Sequence, residues 1–353
     1  MARTLTYTAG ASDKGRAVRE IVRGELCLVA HDIARAKYRT EGGITVNGVP
    51  SLMNRILQCG DVVRVLLTDE APEKTVPVQG PLSVLYEDED IICLNKPAGL
   101  VVHPSHGHFS DTLANYLAFY YQERGESHEI RTIGRLDKDT SGVIAFGKSR
   151  TACAIVAGQV KKDFPVRGPD TAPDKDLRGS RAAPGAARKK YLALASGFFA
   201  DPEGTVDAPI SREYEEKIRR VVRSDGAPAL TRYRVLEQCD GYALLAVEIE
   251  TGRTHQIRVH MAHIGHPLLG DPIYGDGTDP ERFVRRRDGE ERGEVLQRAA
   301  LHAWELVFAQ PFTGETVRVT APVPPDMRGY LTKVTHVSDQ VLSSSASDSQ
   351  YPK

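Results

Sequence analysis

Between residues 82 and 329 one strand-like run follows another with too few helices between them to build a doubly wound sheet. The runs are VLYEDEDIICLNK, GVIAFGK, KYLALASG, YALLAVEIETG and ELVFAQPF. A parallel sheet needs a crossover after each strand, so this succession predicts an α+β body around a mixed, largely antiparallel sheet. Helical stretches include DTLANYLAFYYQ, TACAIVAGQVKK and HQIRVHMAHIG.

Two segments cannot contribute to a core. Residues 163–187 (DFPVRGPDTAPDKDLRGSRAAPGAA) are rich in proline, glycine and charge and predict a mobile loop. The serine-rich end of the chain predicts a disordered tail over 330–353.

Ahead of the large body stands a smaller unit, residues 15–68. GRAVREIVRGEL and HDIARAKYRT read as helices, and CGDVVRVLL as a closing strand. Asn47-Gly48, set between short apolar runs, predicts a two-residue hairpin turn. Residues 1–14 read as a polar lead-in able to add an edge strand. Residues 69–81, with acids and two prolines, read as an interdomain linker.

The chain of 353 residues is long enough for these two domains, and its formal net charge of -1 announces no nucleic-acid partner in bulk. Local charge differs. Residues 15–65 hold eight Lys or Arg against five acids, a balance of +3. The five cysteines are scattered and never spaced as CxxC, which argues against a disulfide framework or a zinc cluster. With no apolar leader and no run of roughly 20 apolar residues, the expectation is a soluble, cytoplasmic protein without a membrane partner.

Three motifs carry chemistry. KPAGLVVHPSHG (96–107) follows an apolar run, and its Pro-x-Gly demands a sharp turn; His103 and His106 sit on that loop. Taken alone it reads as a tight loop with surface histidines. TIGRLDKDTSGVIAFGK (132–148) crowds Arg135, Asp137, Lys138 and Asp139 directly before a strand. A solvated turn would explain the charges, whereas a carboxylate at a fixed strand entrance is what a preorganised site needs. TGRTHQIRVHMAHIGHPLLGDPIYG (251–275) gathers Arg253, His255, Arg258, His260, His263 and His266. His255 and Arg258 share a helical face at i, i+3. A helix start with Arg253 could receive a phosphate. A metal is not expected, because no carboxylate or cysteine completes a familiar ligand set.

In this order, KPAGLVVHP, GRLDKDTSG, the KKY of 189–191 and TGRTHQIRVHMAHIGHPLLGDPIYG resemble the motifs of the RluA-type pseudouridine synthases of ribosomal and transfer RNA. The resemblance spans about seven tenths of the chain. It implies a catalytic domain over 82–329 with a central cleft, and isomerisation of uridine to pseudouridine without metal or organic cofactor. Asp137, in the Arg-Leu-Asp motif, would be the catalytic carboxylate. It would either attack ribose carbon 1 or start the loss of the proton on carbon 2.

Arg258 would pair with Asp137 and hold it ionised. Tyr191 would stack on the uracil and help remove the carbon 5 proton. Arg135 would fill the gap left by the flipped nucleotide, with Arg253 and His255 shaping the RNA cleft. The sequence departs from the family at Gly134, where histidine is common, which bears on how the RNA strand is supported.

The pattern of residues 15–68, with its valine-asparagine-glycine turn and glycine-aspartate before a strand, resembles the small RNA-binding module of ribosomal protein S-four. That likeness implies phosphate contacts from Arg35, Lys37 and Arg39. The expected partner is therefore RNA, with large-subunit ribosomal RNA ahead of transfer RNA, bound by a monomer. The other classes are a non-catalytic RNA-binding protein retaining the fold, and a hydrolase using Asp137 and Asp139 as an acid and base pair.

Overall fold

The computed structural model describes residues 2–26, 28, 30–37, 43–68, 75–105, 107–161, 187–214, 218–284 and 295–331. The N-terminal unit runs β1 (Ala2–Thr8), α1 (Val18–Gly24), α2 (Ala30–Lys37), β2 (Ile44–Val46), β3 (Val49–Pro50) and β4 (Val62–Thr68). Its four strands form an antiparallel sheet in the order β1-β4-β2-β3. The lead-in thus supplies the edge strand, paired along all seven residues of β4.

The hairpin forms where Asn47-Gly48 predicts it. Both residues take positive φ, 55° and 80°, as a type I′ turn requires. Asn47 also explains the glycine-aspartate further on. Its Nδ2 donates to Asp61 Oδ1 at 2.7 Å, and its Oδ1 accepts the N–H of Val62 at 2.8 Å. The turn is pinned to the start of β4.

The linker reading needs correction over residues 75–81, which are docked on the large body. Asn115 Nδ2 donates to Val76 O at 2.8 Å, and Val78 N–H donates to Asn115 O at 3.1 Å. Gly80 lies against the Tyr116 ring, where a Cβ would come within 2.5 Å. Residues 69–74 lie outside the described residues. The two units also touch: Thr151 Oγ1 donates to the buried Asp32 carboxylate at 2.8 Å.

The large body comprises β5 (Val84–Glu87), β6 (Ile91–Lys96), α3 (Leu113–Glu123), β7 (Arg131–Ile133), β8 (Ser141–Gly147), α4 (Arg150–Lys161) and β9 (Arg188–Ser196). It continues through β10 (Glu203–Asp207), β11 (Ile210–Arg212), β12 (Arg220–Val222), β13 (Leu230–Gln238), β14 (Tyr242–Ile249) and α5 (Gln256–His263). It closes with β15 (Leu301–Ala309), β16 (Thr316–Thr320) and α6 (Pro325–Arg328). The main sheet has ten strands along the path β10-β13-β14-β9-β15-β8-β6-β5, with β16 on β15 and β7 on β8. Every pairing in it is antiparallel except β15 with β8. The α+β expectation holds.

Period-two burial sorts β9 between two cores. Tyr191, Ala193 and Ala195 pack with Ile257 and Met261 of α5 on one face. Leu192 and Leu194 pack on the other with Trp304, Met327, Tyr330 and Leu331. Tyr330 and Leu331 are 1% and 2% exposed, so the ordered body runs past the expected boundary at 329. The chemistry is that of any core: two large apolar side chains bury too much surface to stay in a tail, each worth about 1.5–3 kcal/mol. Residues 332–353 lie outside the described residues. So does the expected loop, save Ala187, which is buried with its N–H on Gln159 O at 3.1 Å. No described helix is long and apolar enough to cross a membrane.

Candidate active site

The cleft opens beside β9. A cavity of about 480 Å³ is walled by the loop 134–140, by Lys189 and Tyr191 of β9, and by the segment 249–257 that leads from β14 into α5. That volume suits a nucleoside-sized ligand. Of the residues singled out in the sequence, Arg135, Asp137, Tyr191, Arg253 and His255 all line it. Arg258 stands just behind, 3% exposed. Arg35, Lys37 and Arg39 belong to the separate N-terminal unit. Arg39 and the side chains of Arg35 and Lys37 lie outside the described residues, as does His106.

The first wall depends on two glycines. Gly142, at φ 109°, opens β8; a Cβ there would sit 2.1 Å from Ala303 O, so only glycine lets β8 run beside β15. Gly134, at φ 79°, turns the chain out of β7. Its missing Cβ leaves room for the amine of Lys189, which would otherwise be 2.7 Å away. Lys189 Nζ donates to Ile133 O at 3.2 Å, and burial holds its pKa down to about 8.

Beneath this wall lie two buried cations. Lys96, wholly buried, donates to Pro97 O, Leu100 O and Lys138 O at 2.8, 2.8 and 2.7 Å. Gly99 N–H adds a bond to Lys138 O at 2.9 Å. Arg298 donates to Asp139 O at 3.1 Å and to Ser141 Oγ at 3.3 Å, and is itself gripped by Asp326 at 2.6 and 2.9 Å. The KPAG turn is thus more than a loop with histidines: it is the floor on which the Asp137 turn rests. His103 is half-buried, its Nε2 3.2 Å from Thr132 Oγ1, and burial lowers its pKa.

The opposite wall is pinned by Gln256. Its Oε1 accepts from Thr251 Oγ1 and Arg253 N, at 2.8 and 3.0 Å. Its Nε2 donates to Leu230 O and Thr231 Oγ1, at 2.9 and 3.1 Å. Held so, Arg253 reaches outward and donates from Nε to Pro228 O at 3.0 Å. Arg135 spans the mouth, its Nη2 donating to Thr254 Oγ1 at 3.0 Å. His255 caps α5 with left-handed backbone (φ 59°, ψ 18°), and its Nδ1 lies 2.9 Å from Tyr274 Oη.

One expectation is corrected. The carboxylate that Arg258 grips is Asp271, with Nε and Nη2 both 2.7 Å from its two oxygens. Burial opposes the charge on Arg258; the hydrogen bonds and charge of Asp271, then the charge of Asp137, outweigh it and raise its pKa. Asp137 is therefore close enough to feel Arg258, but a bidentate pair with Asp271 has taken both forks of the guanidinium that face it. Asp271 is fixed in turn by the N–H groups of Ile273 and Tyr274, at 2.9 and 3.1 Å.

Tyr191 is 5% exposed, and its hydroxyl pKa is raised by burial and then by the charge of Asp137. A carboxylate, a buried aromatic wall and an imidazole thus meet in one cavity, with guanidinium groups at its rim. Such a set can hold a flat ring and act on the atoms beside it. Among the described residues no group of three or more His, Cys, Asp or Glu gathers as a metal site. Sequence reasoning passed over Lys96, Thr254, Gln256, Asp271, Tyr274 and Arg298. All but Arg298 stand within a quoted motif, so the signal was present without a partner to give it meaning.

Comparison with known proteins bears on the family and the fold. Residues 90–263 match the family described as RNA pseudouridylate synthase. The chain is 36% identical over 288 residues to ribosomal large subunit pseudouridine synthase D of Xanthomonas campestris, covering 81% of this chain and 80% of that one. It is 36% identical over 287 residues to an uncharacterized RNA pseudouridine synthase of Bacillus subtilis, covering 81% and 83%. Among solved structures, human RNA pseudouridylate synthase domain containing 1 shares the fold, with a TM-score of 0.50 at 24% identity over 74% of this chain and 95% of that one.

Proposed function

The chain belongs to the RNA pseudouridylate synthase family and is an RNA pseudouridine synthase, an isomerase; from that premise we propose that Asp137 is its catalytic carboxylate and large-subunit ribosomal RNA its substrate. The observation that carries the assignment is convergence: Asp137, Tyr191, Arg135, Arg253 and His255 come from three separate stretches of chain onto one cavity. The chain's likeness to ribosomal large subunit pseudouridine synthase D supports the substrate.

The target nucleotide, turned out of its stack, enters with its ring against Tyr191. Asp137 acts on the ribose, by attack on carbon 1 or by taking the proton on carbon 2. Either way the bond from carbon 1 to ring nitrogen 1 breaks and its electron pair stays with the uracil. The ring turns and carbon 5 joins carbon 1 as Asp137 leaves carbon 1 or the proton returns to carbon 2. The carbon 5 proton then passes to solvent, helped by Tyr191, and nitrogen 1 takes one up. Arg135, now spanning the mouth to Thr254, fills the place the base has left in the RNA.

The test maps pseudouridine in ribosomal and transfer RNA of a strain lacking the gene, by carbodiimide adducts read as reverse-transcriptase stops. A large-subunit stop is expected to vanish and to return with wild type but not with Asp137→Asn. Return of the stop with Asp137→Asn removes the carboxylate assignment, and loss of a transfer RNA stop alone replaces the substrate.

The N-terminal unit, by its resemblance to the module of ribosomal protein S-four, grips RNA phosphates through Arg35, Lys37 and Arg39. Changing all three to Ala is expected to weaken RNA affinity about tenfold or more at 0.1 M salt and to flatten its salt dependence, with the saturated rate kept. Unchanged affinity in a filter-binding titration overturns the module.

A further inference from the structure

His255 lines the cavity, and the scheme above leaves its placement unused. It is held in left-handed backbone (φ 59°), which a non-glycine residue adopts only where its surroundings enforce it. Two bonds do so: Gln256 fixes Arg253 N at 3.0 Å, and the imidazole is anchored through Nδ1 on Tyr274 at 2.9 Å.

The anchor also decides which nitrogen carries the proton. Tyr274 Oη already accepts the Arg220 N–H at 2.8 Å. Among the described residues, the acceptor within reach of its own proton is His255 Nδ1. The phenol therefore donates to Nδ1, and the imidazole proton resides on Nε2. Nε2 has no protein partner among the described residues, and His255 lines the cavity.

The ring is neutral at working pH. Burial holds its pKa below the ordinary histidine value. Arg258 and Arg220 act in the same direction, and Asp137 and Asp271 offset the shift in part.

Resting on the reading of Asp137 above, we propose that His255 is a further catalytic residue: its Nε2–H donates a hydrogen bond to a ring carbonyl of the uracil as it leaves the ribose. When the bond from carbon 1 to nitrogen 1 breaks, its electron pair spreads over the ring onto the two carbonyl oxygens. A fixed donor there meets the charge as it develops. No proton is transferred and no co-reactant is needed. A neutral donor suits the task, because a cationic imidazole so near Asp137 would pair with it instead. Tyr274 is then a positioning residue, acting through Nδ1.

The experiment compares uridine with 5-fluorouridine in transcripts of large-subunit ribosomal and transfer RNA, on whichever transcript the wild-type enzyme isomerises. Fluorine draws charge from the ring, so the departing base needs less help. Single-turnover disappearance of the starting nucleoside is read by nucleoside chromatography, because 5-fluorouridine has no carbon 5 proton to lose and its carbon 5-linked product keeps the fluorine. In His255→Ala the rate on uridine is expected to fall about 100-fold, the order seen on losing one preorganised donor. On 5-fluorouridine the loss is expected to stay under about tenfold, with RNA affinity unchanged.

His255→Gln, which returns an N–H near the place of Nε2, recovers part of the uridine rate. Tyr274→Phe keeps the imidazole and frees its tautomer, and is expected to show the same selective loss at smaller size; it carries the test if His255→Ala does not fold. Equal losses on both transcripts, or a loss confined to affinity, overturn the proposal. Asp137→Asn is expected to be inactive on both. If it is active, the carboxylate reading fails, while the ratio between the two bases still judges His255.

Discussion

The wall that carries Arg135 and Asp137 and the wall that carries Arg253 and His255 face each other across the cavity and meet at the bond from Arg135 to Thr254. The first is held from below by cations that grip its backbone: Lys96 on Lys138 O, Arg298 on Asp139 O. The second is held side chain to side chain, by Gln256 on Thr251 and Thr231, Arg258 on Asp271, and Tyr274 on His255. Carbonyls are present whatever the residue, so the first kind of clamp leaves the side chains of the turn free to face the ligand. The second spends its side chains on one another, and each partner depends on the other for its own burial.

That difference predicts unequal fragility. Removing Arg258 strands Asp271, whose side chain is 0% exposed, as an uncompensated buried charge. Arg258→Met is therefore expected to destabilise the protein by about 3–5 kcal/mol. Urea unfolding at pH 7 measures it. Asp271→Leu added to Arg258→Met should restore part of the loss, because the pair is then replaced by apolar groups instead of being broken. A loss under about 1 kcal/mol would mean that the second wall does not rest on its ion pair, and the contrast between the walls would collapse.

What the sequence could say follows the same divide. The strand GVIAFGK and the helix of residues 111–122 form as read: the first is a short continuous apolar run buried along its length, and the second turns its apolar side chains onto the sheet. Strands β11 and β12 were not legible: ISREYEEKIRRVV is charged at most positions, and the two strands pair with each other outside the main sheet. Nor was β13 (LTRYRVLEQ), most of which is half-buried rather than alternating between core and water.

In the site, motif residues could be gathered on one cavity because their order and types carry the resemblance. Their partners could not. Asp271 lies 13 residues from Arg258, and Asp137 is the nearer carboxylate by motif logic; the bidentate geometry that decides between them exists only in the fold. Lys96 is only the first letter of the KPAG motif until three carbonyls, one of them from 42 residues away, are found around its amine. Buried charge is the feature least visible in a linear pattern, since the sequence names the cost but not the compensation.

The clamp of the first wall gives the smaller effect and the finer test. Burial holds the Lys96 amine down to about 7, against an ordinary lysine value of 10.5, with the nearby Asp139 opposing the shift. Above pH 7 the folded protein would then release a proton that the unfolded chain still holds. Where the unfolded state binds more protons, stability rises with pH, by at most about 1.4 kcal/mol per unit. Below pH 7 both states are protonated and the cost of burying the charge is present in full.

Lys96→Met removes this contribution. The stability of wild type minus that of Lys96→Met, from urea unfolding, should therefore rise by about 1–2 kcal/mol between pH 7 and 8.5. The cysteines and Lys189 are present in both proteins, so their titration cancels in the difference. The opposing force is the cage itself: three carbonyl acceptors favour the ammonium, which has three protons to give, over the amine, which has two. A difference that stays flat across the window would mean that the cage wins and that the Asp137 turn is held by a full charge at every working pH. A rise would mean that the clamp loosens as the solution turns alkaline, on the first wall and not on the second.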